Sequence, residues 1–170
     1  MYAYLQLLLN ICLFKKGPED IPYSLLLFRL SIIGFVIFNY LLINLSTDAL
    51  QTILQLGVEL IIVIGFTTLV LSFSHKLKRF LQTACALIGT DALLSFFAMP
   101  VLATLSLDSN NILAFFAMLA LILWNWLVTV HIIRHAINAS FSFAAGIVFL
   151  YIFSAYQIMA ILFPAVGPAT

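Results

Sequence analysis

The sequence predicts an all-α polytopic membrane protein, with five transmembrane helices after one short amino-terminal interfacial helix. Three observations carry that prediction. Of the 170 residues, 65% are hydrophobic and only 8% are charged. A soluble domain is about 25% charged, so this chain cannot coat a water-facing surface. Mean hydropathy is +1.21, concentrated in five apolar stretches near the ~20 residues that a bilayer demands. Finally, the connecting Lys and Arg residues fall on alternate connections only. There is no repeat and no low-complexity linker, so residues 1–170 form a single domain.

Residues 1–14 are apolar but too short to span. They read as a helix lying in the interface. Gln6 and Asn10 give it a weak polar face, so packing on the bundle is the alternative. This stretch has no basic start and no small-residue cleavage site, and no cleavable signal is expected. Residues 15–20, KKGPED, stop it. Pro22 suits the start of the first span, and Glu19 and Asp20 stand where a helix dipole favours anions.

The spans are predicted at about residues 23–45, 50–73, 78–105, 112–130 and 139–163. The first carries Arg29, Asn39 and Asn44. The second carries Gln51, Gln55 and Glu59 at four-residue spacing, a polar stripe on an apolar helix. The third holds Gly89, Thr90, Asp91 and Pro100, and the glycine and proline permit a kink or local unwinding. The fourth ends near Trp124, Asn125 and Trp126, read as interfacial aromatics and packing, and is followed by the polar run HIIRH. The fifth carries Ser142, Gly146, Ser154 and Gln157. Ala84, Ala86 and Gly89, and again Ser142 and Gly146, suit close helix contact, including contact between protomers.

Orientation follows from the bases. Lys15 and Lys16 precede the first span, Lys76, Lys78 and Arg79 lie between the second and third, and Arg134 lies between the fourth and fifth. Asp48 and Asp108 occupy the opposite connections, and the tail is uncharged. The positive-inside rule then places the amino end in the cytoplasm and the carboxyl end outside.

The intramembrane polar candidates are Arg29, Asn39, Gln55, Glu59, Asp91 and Gln157. A carboxylate inside a bilayer costs roughly 2.5–3.5 kcal/mol on insertion scales and therefore faces other helices. At about 1.5 Å per residue, Asp91 and Glu59 lie at similar depth, roughly 17–20 Å in. Facing each other, they could relay protons in coupled transport. The simpler alternative is a neutral carboxyl hydrogen-bonded to Asn39, Gln55 or Thr90 as helix glue. Arg29 either snorkels to the surface or pairs with Asp91. His131 and His135 sit one turn apart, but lack a third ligand, so no metal is expected. Cys12 and Cys85 read as small buried hydrophobes. No nucleophile elbow, phosphate loop or zinc motif is present, so neither enzymatic activity nor a cofactor is expected. Membrane lipids and a membrane-protein partner or a second copy are the expected partners. A net charge of +1 suggests no nucleic acid.

The stretch KKGPEDIPYS, followed by RFLQTACALIGTDALLSFFAMPV, resembles small Yip1-like inner-membrane proteins of Gram-negative bacteria. Five closely spaced spans and a short carboxyl tail fit the same resemblance. It departs from the eukaryotic Yip1 pattern: only Gly17-Pro18 remains of the Asp-Leu-Tyr-Gly-Pro motif, and the long cytoplasmic region is missing. Binding of small GTPases is therefore not carried over. The resemblance implies a bacterial inner-membrane protein acting as a binding or scaffold component in membrane organisation. The residues leave a rival open: a small transporter or lipid-handling protein using Glu59 and Asp91.

Overall fold

The computed structural model describes residues 2–44, 48–108 and 110–164. Its helices are α1 (Tyr2–Cys12), α2 (Leu25–Ile43), α3 (Ala49–Phe73), α4 (Phe80–Leu107), α5 (Ile112–Ile137) and α6 (Phe141–Leu162). Among the described residues there is no strand. The last five helices are long and apolar enough to cross a membrane, so the predicted fold class holds. Leu45, the predicted end of the first span, and residues 46, 47, 109 and 165–170 lie outside the described residues.

The third predicted span, α4, is the axis of the bundle. It is buried on every side from Thr83 to Thr90, with α2, α3, α5 and α1 packed around it. Small side chains explain how one helix can have so many neighbours. Ala84 and Ala86 let backbones approach closely, as small residues do between membrane helices, and both are fully buried. The hydroxyls of Thr67, Thr83, Thr90 and Thr129 each donate to the carbonyl four residues back in their own helix or connection. A buried hydroxyl is satisfied in this way without a second helix.

Gly89 does not unwind α4, which runs unbroken through both Gly89 and Pro100. Its lack of a side chain instead makes room for α1. A Cβ at Gly89 would stand 2.9 Å from a Leu8 methyl and 3.0 Å from the Tyr4 hydroxyl. Helix α1 therefore packs on the bundle, slung across α4. Near its start, Tyr4 shares a 2.5 Å hydrogen bond with Ser31 of α2. At its end, Trp124 Nε1 of α5 donates to the Cys12 carbonyl. The opposite face of α1, with Leu5 and Leu9, is exposed and apolar, as is Leu13 just beyond it.

One end of the bundle gathers the bases. Helix α5 extends past the predicted limit at 130 because nothing breaks it before Asn138, whose left-handed backbone (φ 56°) ends it. His131 and His135 thus belong to its last two turns. The carboxyl-terminal carbonyls left over there are met by cations from the α3–α4 connection. Lys76 Nζ donates to the Ile137 carbonyl at 2.9 Å, and Arg79 reaches the His135 carbonyl at 3.4 Å. Glu19 and Asp20 do not serve α2, which starts at Leu25. They lie in a single 3₁₀ turn, Pro18–Asp20, from which Glu19 turns to His135 at 3.1 Å. Gln82 anchors that turn by donating to the carbonyls of Glu19 and Ile21.

Candidate functional site

Helix α6 leans on the bundle through its first half, as far as Tyr151. Ala144 and Val148 are buried, and no described residue beyond Val148 is. The remaining turns stand away from α4 and leave a crevice of about 1010 Å³ among α2, α3, α4, α5 and α6. Its walls are mainly apolar, with Phe35, Ile62, Leu87 and Phe149 among them. Its polar groups are Gln55, Glu59, Asp91, Asn125 and Thr129, together with the aromatic polar tips of Trp126, Tyr151 and Tyr156. Leu119, Ile122, Ile152 and Tyr156 form an exposed apolar rim between α5 and α6.

The two carboxylates in this crevice have different surroundings. Asp91 is held by amides from two other helices. Asn39 Nδ2 of α2 donates to Oδ2 at 3.1 Å, and Asn125 Nδ2 of α5 donates to Oδ1 at 3.3 Å. Asn39 is itself oriented, since its Oδ1 accepts from Ser95 at 2.9 Å and its Nδ2 also reaches the Phe35 carbonyl. The chain Ser95–Asn39–Asp91–Asn125 therefore ties α2, α4 and α5 together. The amides replace part of the water shell that a buried carboxylate loses.

Glu59 has no such cradle. Neither Glu59 nor Gln55 hydrogen-bonds to a described residue. The four-residue spacing puts both on the α3 face that looks into the crevice, Gln55 one turn nearer the end opposite the bases. Glu59 and Asp91 line the same crevice. Tyr151, stacked on Phe66 with ring centres 4.1 Å apart, lines it with them.

Of the six polar candidates, the fold brings together Asn39, Gln55, Glu59 and Asp91. Arg29 is exposed on α2 and does not pair with Asp91, whose oxygens are taken by amides. Gln157 is exposed on α6 and faces away from the crevice. Of the expected carboxyl partners, Asn39 is found on Asp91, whereas Thr90 turns back to the Ala86 carbonyl. Asn125 was not among them. Its signal was available, as a lone amide in an apolar helix with no local partner. Trp126 lines the crevice, while Trp124 serves α1. His131 Nε2 sits 3.0 Å from the Lys16 carbonyl, and His135 faces Glu19.

Five membrane-length apolar helices around a polar-floored interior define the class as an integral, multi-pass helical membrane protein. No family model, curated protein or solved structure matches the chain.

Proposed function

We propose that this protein binds an amphiphilic small molecule in the crevice, acting as a small transporter or lipid-handling protein. The observation that carries this reading is the crevice itself, about 1010 Å³ of mainly apolar space with Glu59 and Asp91 in its lining. Ligand pockets are typically about 300–1,000 Å³ and pair apolar walls with a few polar groups. Carboxylates at membrane depth are expensive and mark pathways or binding sites. The apolar rim between α5 and α6 offers a molecule dissolved in the bilayer a lateral way in. No enzymatic step belongs to this reading.

In this reading the basic end faces the cytoplasm of a bacterial inner membrane, with the amino end inside and the carboxyl end outside. The membrane-organising scaffold of the Yip1-like resemblance is the second reading. It is favoured by Ser142 and Gly146, a pair of small residues exposed on α6 and unused within the protomer. Such pairs suit contact with a second copy or another membrane protein.

Ala155 lines the crevice, so Ala155→Phe fills it from α6. Protein purified from native membranes should release a bound amphiphile, detected by mass spectrometry, and the variant should lose it at normal abundance. Retention of the same molecule by the filled variant would overturn the reading. Cross-linking through a cysteine placed at Ser142 tests the scaffold.

A further inference from the structure

We infer that the ligand of this crevice is a lipophilic organic cation, with Glu59 as its principal counter-charge. The inference rests on the crevice being a ligand site and names the chemical class that the site selects. Three features of the lining support it.

The first is charge. Two carboxyl side chains line the crevice and no Lys or Arg does. Arg29 is exposed on α2, and the described bases of the connections gather at the basic end. Charge interactions are strengthened where water is scarce, so the interior repels anions. A phospholipid phosphate placed here would meet two acids and no cation. A single positive charge would find its partner already present.

The second is the division of labour between the acids. Asp91 has its oxygens committed to Asn39 and Asn125. Glu59 makes no hydrogen bond to a described residue. Its carboxylate is therefore the one whose partner the ligand can supply, while Asp91 stays fixed between its two amides. Gln55, one turn along the same face and equally uncommitted, can orient a polar group of the ligand.

The third is the aromatic content. Trp126, Tyr151, Phe35 and Phe149 line the same space. Aromatic faces attract organic cations, most strongly when these are desolvated, and give the apolar part of the ligand a large surface. A metal ion fits poorly, since no group of three or more His, Cys, Asp or Glu ligands gathers among the described residues.

The test uses the purified full chain in an uncharged detergent and two probes of similar bulk, tetraphenylphosphonium and the neutral triphenylphosphine oxide. Binding is measured by equilibrium dialysis. The cation should bind saturably, one per chain, and about tenfold or more tighter than the neutral probe. Glu59→Gln should abolish that preference by lowering affinity for the cation towards that for the neutral probe, and an unshifted elution volume on size exclusion reports that the variant is folded. Equal binding of both probes to the wild type, lost from both in Ala155→Phe, would overturn the cation class while leaving the ligand site standing. Saturable binding of neither would overturn both. Glu59→Gln keeping the preference would remove Glu59 from the role. The wild-type comparison decides the class even if Glu59→Gln does not fold.

Discussion

Asn125 of α5 donates its side-chain amide to Asp91 of α4 across 3.3 Å, at the lining of the crevice. The pair fixes the relative height of two membrane helices. It is also the feature from which the stability of the interior can be tested most directly.

Asn125→Leu removes one of the two amides on Asp91 and should destabilise the protein by about 0.6 kcal/mol, the average for one hydrogen bond between membrane helices, and by no more than about 1.7 kcal/mol. Asp91→Leu strands Asn125 and the Asp91-facing hydrogen of Asn39, so it should cost more. Asp91→Asn should lie closest to the wild type, because the Asn125 amide can turn to present its oxygen. Thermal unfolding in detergent checks the order. An Asp91→Leu variant as stable as the wild type would sink the tie between helices.

Gly89→Val should undock α1, since its branches would collide with Leu8 and Tyr4. Gly89→Ala should be tolerated, because the atoms in the way are the ends of flexible side chains. Cys12 reports the difference. It is buried, and burial pushes its thiol up to about 12, which makes it slow to alkylate. In a Cys85→Ala background, maleimide labelling of Cys12 should be about tenfold or more faster in Gly89→Val. Unchanged labelling would mean that α1 does not depend on the gap at Gly89.

Tyr4 adds a pH dependence to the same contact. Burial pushes its hydroxyl up from 10.0 to about 12, partly offset by the hydrogen bond to Ser31. A group raised in the folded state contributes stability that is fully present below its unfolded value. That contribution is lost as pH climbs from about 10 towards about 12. The melting temperature of the wild type should therefore fall more steeply over this window than that of Tyr4→Phe. Parallel curves would show that α1 docking does not hold the phenol.

The contact between Glu19 and His135 at the basic end should matter much less. The Glu19 and His135 side chains are 41% and 37% exposed, and exposed pairs are worth about 0–1 kcal/mol. Glu19→Gln should shift stability by less than about 1 kcal/mol. Gln82→Leu should do more damage, because its amide holds the carbonyls of Glu19 in the 3₁₀ turn and of Ile21 just after it. A melting series comparing the two variants decides it.

Much of this architecture was legible in the residues. Length and hydropathy located the spans, since a bilayer admits only long apolar helices and leaves little freedom in their number. The errors at helix ends have a local cause: the polar run HIIRH reads like a connection, but only Asn138 actually stops α5. The four-residue spacing of Gln55 and Glu59 correctly put them on one face. For Gln157, exposed on α6, the residues gave no such guide, because no periodicity says which face of an apolar helix meets protein and which meets lipid.

The sequence by itself determined that the chain lives in a membrane, how many helices cross it, and that Glu59 and Asp91 must be kept from lipid. Those results follow from the one-dimensional cost of placing polar groups in hydrocarbon. Only the tertiary structure decided that α1 fills the gap beside Gly89, that Asn125 joins Asn39 on Asp91, and that α6 swings clear to open the crevice. Contacts between distant segments depend on helix rotation and close packing, and every apolar face offers nearly the same hydropathy for either choice.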